Sequence, residues 1–299
     1  MGANLKEVRE RISSVKSTQQ ITRAMKMVSA AKLRRAQMAV VQMRPYSKKL
    51  NEMLSNIVSS MGAGADISYA TERDVKNPLI VLVTSNRGLC GAFNNYIIKE
   101  ALKLINGKYN AQYEAGNLKM ICIGKKGFEF VNKAYPKLTV INDHVDLFSD
   151  LQFDITSKVS QWIMDEFSNG SIDSVDVAYG EFKNAAVQFY KVEQFLPIEK
   201  IEPDTTVEKK FSTNFTFEPN QQKLLEDMVP SILRTQFHKY LLDTHASEHG
   251  ARMTAMDKAT ENADDLLKEL KINYNKARQE AITNEISEIV GGAAALEGS

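Results

Sequence analysis

Several features that would indicate a secreted, membrane-spanning or metal-binding protein are missing from this sequence. Only two cysteines, Cys90 and Cys122, occur among its 299 residues, which provides neither a disulfide framework nor a cysteine metal site. The longest aliphatic run, residues 79–83, is far shorter than the roughly 20 residues that a membrane-spanning helix needs. The N-terminal MGANLKEVRER has neither the apolar stretch of a secretory signal nor the acid-free composition of a transit peptide. We therefore expect a cytoplasmic protein.

Signatures of catalysis and cofactor binding are equally scarce. The loop SNRGLCG, residues 85–91, follows an aliphatic run, a place where α/β proteins bind phosphate. It has neither the dinucleotide glycine spacing nor the P-loop Gly-Lys-Ser/Thr, so we interpret it as a tight strand-to-helix turn. His245 and His249 lie one helical turn apart, but no third ligand is in register, and we favour a polar seam position for His249. We expect no catalytic residue, cofactor, metal or small-molecule substrate.

Glycine and proline are nearly absent from long stretches near both ends. Pro45 is the only one of either residue between Gly2 and Gly62, and only Pro230 and Gly250 interrupt residues 220–290. Since these residues break helices, we predict helices over about residues 4–59 and 231–290. Such helices would span roughly 80 and 90 Å. We expect much of their length to project from the domain between them and the two to run antiparallel.

The C-terminal helix carries a long seam of apolar and small residues. Its steps of four and three residues run through Leu242, Ala246, His249, Met253, Met256, Thr260, Ala263, Leu267, Leu270, Tyr274, Ala277 and Ala281. A pattern sustained over this length predicts a coiled coil, with a pair of ordinary bundle helices as the alternative.

The segment between the helices predicts a mostly parallel sheet covered by helices. Its strand candidates are residues 78–84, 118–124, 138–143, 175–182 and 187–196, the last two joined by a hairpin at 183–186. Helical stretches at 95–105, 127–134 and 155–167 separate the first four, which is typical of α/β proteins. The predicted fold class is therefore α/β plus a long antiparallel α-helical coiled coil. The predicted domains are a shaft, residues 1–61 and 219–299, and an α/β base, residues 77–210.

Charge is distributed unevenly although the net charge of the chain is only +1. Residues 1–44 carry a net charge of +8, and residues 252–299 carry −3. Part of this difference would draw the two helices together, and the positive surplus predicts an acidic partner. A nucleic-acid partner is an alternative, although residues 1–45 contain no aromatic residue for stacking; a merely solvated basic face is another. The far C-terminus is apolar and predicts a sleeve supplied by another protein.

Several stretches of the sequence resemble the gamma subunits of F-type ATP synthases. They are ITRAMKMVSAAKLRRAQ at 21–37, RPY at 44–46, TSNRGLCGAFN at 84–94, and YNKARQEA followed by ITNEISEIVGGAAA at 274–295. The resemblance covers the whole length and is looser from about 101 to 214. It implies a non-catalytic central-stalk rotor subunit that transmits torque between a membrane ion-driven ring and the catalytic ring. It also implies a peripheral protein on the cytoplasmic face of the cell membrane.

The resemblance further implies partners and contact residues. The partners are three alpha and three beta subunits, an epsilon subunit and the membrane c-ring, with no nucleic acid. Contacts with the beta subunits would come from Met25, Lys26, Arg34, Arg35, Arg252, Gln279, Thr283 and Glu285. An apolar bearing tip would consist of Ile286, Ile289 and Val290, and a foot facing the membrane ring of Phe215, Phe217 and Glu218. The competing hypotheses are a basic coiled-coil scaffold that binds nucleic acid and a nucleotide-dependent α/β enzyme that uses the loop at 85–91.

Overall fold

The computed structural model describes residues 5–61, 68–198 and 221–297. The chain divides into two compact units. The first, the helix-pair unit, consists of Met1–Ser29 and Met253–Ser299, and the second, the α/β unit, consists of Ala30–Arg252.

The described residues form six helices and one five-stranded sheet. The helices are α1 (Leu5–Met61), α2 (Phe93–Asn106), α3 (Asn110–Glu114), α4 (Lys125–Ala134), α5 (Phe153–Ser168) and α6 (Gln221–Glu297). The strands are β1 (Pro78–Val83), β2 (Lys119–Ile123), β3 (Thr139–Ile141), β4 (Ser174–Phe182) and β5 (Gln188–Leu196). Short 3-10 turns occur at Ser68–Ala70 and Leu147–Ser149.

Strand β1 lies at the centre of the sheet, whose order is β3-β2-β1-β4-β5. It pairs in parallel with β2 and β4, and β2 pairs in parallel with β3, whereas β4 and β5 form an antiparallel hairpin. All six residues of β1 are buried, as expected for a parallel strand that helices cover on both faces. The predicted mostly parallel, helix-covered sheet with an antiparallel edge is therefore confirmed.

Each face of the sheet packs on its own apolar core. On one face, side chains of α5 and of the first part of α6, such as Ile163 and Phe237, pack against β1 and β4. On the other face, α2 and α4 supply residues such as Ile97 and Val131. The only tryptophan of the chain, Trp162, lies on α5 with its ring partly exposed.

Helix α6 begins ten residues earlier than the sequence predicts. The prediction placed its start at residue 231 because proline interrupts helices, yet Pro230 lies inside the helix. An internal proline costs about 3 kcal/mol. The preceding turn buries Leu225, Met228 and Val229 in the core against the sheet, and burial of a large aliphatic side chain contributes about 1.5–3 kcal/mol. Tertiary packing thus outweighs the local preference. Helix α3, with only five residues, was too short to predict from periodicity.

The helix-pair unit consists of α1 and α6 running antiparallel. The Thr22 and Thr260 hydroxyl oxygens lie 2.8 Å apart, and Lys26 and Gln19 bond to Asp257 and Asp264 respectively, so residue numbers rise along one helix as they fall along the other. The residues buried on α6, Met256, Thr260, Ala263, Leu267 and Leu270, are those of the predicted seam. The predicted antiparallel coiled coil is confirmed.

The compact units divide α1 and α6 at residues 29/30 and 252/253. The predicted division into a shaft, 1–61 with 219–299, and a base, 77–210, follows the helices and the sheet instead, and it stays a prediction. Among the helices of the described residues, none is long and apolar enough to cross a membrane.

A carboxyl group lies inside the α/β unit. Asp243 on α6 is only 2% exposed. Burial raises its pKa to about 6, an effect that Lys239 and Arg44 oppose and that Glu181 and Glu193 reinforce. The folded chain therefore binds this proton more tightly than the unfolded chain. The resulting contribution to stability is present at low pH and is lost as the pH rises through about 6.

Replacing Asp243 by Asn should stabilise the chain at neutral pH and not at pH 4. The expected gain at pH 7.5 is about 2–3 kcal/mol in the free energy of unfolding, because the variant has no charge to bury. Urea unfolding between pH 4 and pH 8 measures it, with Asp227→Asn, on the exposed side of the same helix, as the matched control. A variant less stable than the parent at pH 7.5 would mean that attraction by Arg44 and Lys239 outweighs burial.

Candidate functional site

The basic stretch of α1 presents its predicted contact residues in different ways. In the helix-pair unit, Met25 and Lys26 are partly buried, and the Lys26 ammonium forms an ion pair with Asp257. In the α/β unit, Arg34 and Arg35 are exposed. The two arginines are therefore available to an acidic partner, whereas the charge of Lys26 is already balanced inside the chain.

The predicted contact residues near the end of α6 all lie at the surface. Gln279, Thr283 and Glu285 are exposed, and the Thr283 hydroxyl donates to the Gln279 carbonyl oxygen at 2.9 Å, as is common for threonine within a helix. Their polar side chains follow one another along the helix and face solvent.

Beyond these residues α6 exposes an apolar surface. Every residue from 282 to 293 is exposed, and among them Ile286, Ile289 and Val290 are each more than half exposed, with Ile289 at 71%. Single exposed apolar residues are ordinary, but several that recur within two helical turns mark an interaction site. These three side chains, predicted to form the apolar bearing tip, are exposed within the described residues, and their bearing role stays a prediction.

Polar groups of the loop at 85–91 form hydrogen bonds within the protein. The Asn94 side chain accepts from the Ser85 backbone N–H at 2.9 Å, and the Ser85 hydroxyl donates to the Arg87 carbonyl at 2.7 Å. The first N–H groups of α4 are also engaged: Lys126 N donates to Ser85 O at 3.1 Å and Gly127 N donates to Thr84 Oγ1 at 2.8 Å. These are the groups that a phosphate would need. The arrangement supports a tight turn rather than a phosphate cradle.

The two free cysteines are also poorly suited to chemistry. Cys90, in this loop, and Cys122, on β2, are both buried. Burial raises the pKa of the Cys90 thiol and raises that of Cys122 to about 12. Because the thiolate is the reactive form, neither residue has the environment of a nucleophile.

His245 and His249 form a neutral pair. Their Nε2 atoms lie 3.1 Å apart, and burial lowers the pKa of His245 to about 4 and that of His249 to about 3, with Arg252 and Lys32 adding to both shifts. These two neighbouring cations oppose a bound metal. The described residues contain no group of three or more side chains suited to hold one. The buried position of His249 agrees with the polar seam interpretation.

Comparison with known proteins identifies the family. The sequence model of a family described as ATP synthase matches residues 4–296. The ATP synthase gamma chain of Cytophaga hutchinsonii is 52% identical over 293 residues, which cover 98% of this chain and 99% of that one. The gamma chain of Flavobacterium psychrophilum is 48% identical over 297 residues, covering 99% and 100%. The chain belongs to the ATP synthase gamma-chain family.

Solved structures share the fold of this gamma-family chain. A chain of the Euglena gracilis mitochondrial ATP synthase, in an assembly of OSCP, F1 and c-ring, has a TM-score of 0.68 at 21% identity and covers 98% of this chain and 94% of its own. A chain of the Tetrahymena thermophila central stalk and c-ring has a TM-score of 0.57 at 23% identity, covering 80% and 99%. The predicted family and fold class are confirmed. So is the assignment to a gamma chain of ATP synthase, which is not the catalytic subunit.

One predicted contact residue of the gamma-family chain is engaged internally. Arg252 is 7% exposed and donates to Glu248 Oε1 at 2.5 Å and to the carbonyl oxygens of Arg87 at 2.9 Å and Gly88 at 3.2 Å. The contact predicted between Arg252 and a beta subunit stays a prediction. The three foot residues, Phe215, Phe217 and Glu218, lie outside the described residues.

Sequence reasoning missed two features of this region. Glu248 and Arg252 are four residues apart on a helix, a spacing that usually indicates an exposed ion pair, and nothing local reveals that both are buried. Leu89 has a φ of +62° and is 66% exposed, a backbone conformation that is rare for residues other than glycine. The glycines on either side of it are the only signal in the sequence, since they indicate a turn.

An exchange of charges would separate the internal role of Lys26 from its predicted contact with a beta subunit. Lys26→Glu should lower the free energy of unfolding by about 1 kcal/mol, since both partners are roughly 40% exposed and such pairs are weak. Adding Asp257→Lys should restore it, as chemical denaturation would measure. If the double variant regains stability but not the coupling of ATP hydrolysis to ion transport, Lys26 also acts on a partner. Recovery of both would assign it to the helix pair alone.

Proposed function

We propose that this chain is the central-stalk rotor subunit of an F-type ATP synthase. It transmits torque between the membrane ion-driven ring and the catalytic ring of alpha and beta subunits, and it carries out no catalysis itself. The observation that carries the proposal is the end of α6, which continues as a helix with Ile286, Ile289 and Val290 exposed. A helix of this kind is stabilised by an apolar sleeve from other subunits, as a bearing requires.

The charged residues at the surface suit a contact that must be made and released repeatedly. Exposed ion pairs contribute only about 0.2–1 kcal/mol each and are screened by salt. Ion pairs from Arg34, Arg35 and Glu285 to beta subunits can therefore form at one angle and break at the next, as can hydrogen bonds from the exposed side chains of Gln279 and Thr283. Deeply buried packing would trap a single angle. Weak, polar contacts favour rotation against a ring of similar partners.

The finer partners follow from this role. We assign three alpha and three beta subunits to the ring around the helix pair, the membrane c-ring to the foot residues Phe215, Phe217 and Glu218, and an epsilon subunit to a place beside that ring. The Euglena structure is described as containing F1 and a c-ring, and the Tetrahymena structure as a central stalk with its c-ring. We propose in addition that the chain is a peripheral subunit on the cytoplasmic face of the membrane.

Co-purification tests the proposal directly. The tagged full-length chain, expressed with its partner subunits, should be recovered with three alpha and three beta subunits per chain. Salt-dependent retention on DNA without these subunits would instead support a nucleic-acid scaffold. Tight binding of ATP by the isolated chain would support an enzyme that uses the loop at 85–91. Either of these two results would overturn the rotor function.

Shortening α6 tests the apolar tip. The free energy of unfolding of a chain that ends at Glu285 should lie within about 0.5 kcal/mol of that of the parent, because side chains 286–293 are exposed. Its assembled complex should nevertheless be recovered in lower yield and pump fewer ions per ATP. The measurements are urea unfolding of the chain and ATP-driven ion transport in vesicles. If the number of ions pumped per ATP and the yield of the complex were both unchanged, the proposed bearing role of Ile286, Ile289 and Val290 would be wrong.

Charge reversal tests the basic surface of α1. Arg34→Glu combined with Arg35→Glu should impair ATP-driven ion transport while leaving the fold intact, because both side chains are exposed. The matched control is Lys48→Glu with Lys49→Glu on the same helix, where the side chains are also highly exposed. Equal losses in both variants would point to a general effect of charge, and no loss in either would contradict the proposed contact.

A further inference from the structure

A buried ion pair lies where α6 leaves the α/β unit, whose last residue is Arg252. Glu248 is 6% and Arg252 is 7% exposed, and they are joined by a 2.5 Å hydrogen bond one helical turn apart. Removing two charges from water is costly, so a buried pair of this kind is weak evidence for stability. Its presence calls for a geometric explanation.

The geometry of the arginine supplies one. While one guanidinium nitrogen of Arg252 bonds to Glu248, the other donates to the backbone carbonyls of Arg87 and Gly88, at 2.9 and 3.2 Å. A planar guanidinium can hold acceptors on two sides at fixed angles, which the single charged end of a lysine cannot. The loop after β1 is thereby attached to α6.

Glu248 orients the Arg252 guanidinium. We call the bonds of Arg252 to Glu248 and to the carbonyls of Arg87 and Gly88 the clamp. Burial raises the pKa of its carboxyl group, an effect that Arg252, Lys32 and Arg87 oppose. Three cations thus face this single carboxylate, and the neighbouring imidazole of His249 lies 3.4 Å from the guanidinium. Without the negative charge, Lys32 and Arg87 would repel Arg252 from its position beside the loop. The carboxylate therefore controls where the guanidinium points.

The clamp is reinforced by bonds between α6 and β4 one to two turns earlier. The Ser247 hydroxyl donates to the Gly180 carbonyl oxygen at 3.1 Å, and the Gly180 N–H donates to the Thr244 hydroxyl at 3.2 Å. A side chain at Gly180 would lie 3.0 Å from the Phe93 ring, so the helix, the strand and α2 approach closely here. Together these contacts fix one stretch of α6 to two central strands of the sheet.

We propose that Glu248 is a positioning residue for torque transmission, which orients Arg252 so that it fastens α6 to the loop after β1. This inference rests on the rotor function proposed above. A helix under torque twists where it has the fewest contacts with the rest of the protein. The clamp provides such contacts, so that torque on α6 is transmitted to the sheet. Arg87 and Leu89, both exposed on the loop, are then held at a fixed angle to the helix.

Glu248→Gln tests the inference because it keeps the size of the side chain and the charge of Arg252. In the assembled complex we expect the rate of ATP hydrolysis to persist and the number of ions pumped per ATP to fall. Hydrogen exchange of the amides in residues 86–91 should accelerate by about tenfold, as expected when a local restraint is lost. Arg252→Lys should give the same accelerated exchange.

The control is Asp265→Asn, which breaks an exposed ion pair with Lys268 on the same helix and should change neither readout. A Glu248→Gln chain with a lower melting temperature but unchanged loop exchange and an unchanged transport ratio would overturn the inference, since the pair would then be only structural. If the parent chain failed to assemble with alpha and beta subunits, the rotor function would fall. Loop exchange in the full-length chain would still decide whether Glu248 orients the clamp.

Discussion

A helix must bury its apolar side chains wherever it carries them, and α6 meets this constraint in three ways along one continuous stretch. Between residues 225 and 249 most side chains are buried, many of them in the core against the sheet. From 253 to 277 only one face is buried, at the steps of four and three residues that a helix pair needs. Residues 282–293 are exposed. The pattern of the helix changes accordingly, from a mostly buried stretch to a single buried stripe and then to an exposed apolar end. The same helix thus packs on the sheet, pairs with α1 and presents apolar side chains to solvent.

The face on which the two helices pair contains a polar layer among its apolar residues. The hydroxyl oxygens of Thr22 and Thr260 lie 2.8 Å apart, and each hydroxyl is also within hydrogen-bond distance of a carbonyl of its own helix. Since each hydroxyl has one proton, when one donates across the pair the other donates to its own helix. A shift in register would therefore leave no hydroxyl without a partner, so these threonines specify the register only weakly. The specificity comes instead from the ion pair of Lys26 with Asp257 and the bond of Gln19 to Asp264. Electrostatic attraction between a basic and an acidic helix, visible in the sequence, aligns the pair.

The sequence predicted those helices and strands whose pattern of apolar residues is local and repeated. The aliphatic run of β1 and the seam that includes Met256 and Leu267 needed no knowledge of the rest of the chain. The predicted start of α6 was wrong because Pro230 indicates a helix end locally, whereas the packing of the preceding turn against the sheet keeps the chain helical. The bonds of Arg252 to the loop could not be predicted, since the acceptors are backbone carbonyls more than 160 residues away. Every residue has a backbone carbonyl, so the sequence does not indicate which one accepts a bond. Asp243 follows Leu241 and Leu242 and is followed by Thr244 and His245, so only the fold shows that it is buried.

The chain carries a single tryptophan, and its location has an experimental consequence. Trp162 lies on α5, next to Ile163 of the sheet core, and the helix-pair unit contains none. Its intrinsic fluorescence therefore reports on the α/β unit alone, whereas circular dichroism at 222 nm reports on both units, since α1 and α6 each run through both. A melting transition that appears in circular dichroism and not in fluorescence therefore belongs to the helix-pair unit. Coincident curves would show that α6 carries cooperativity from one unit to the other, and separate curves would give the temperature at which the shaft frays while the base remains folded.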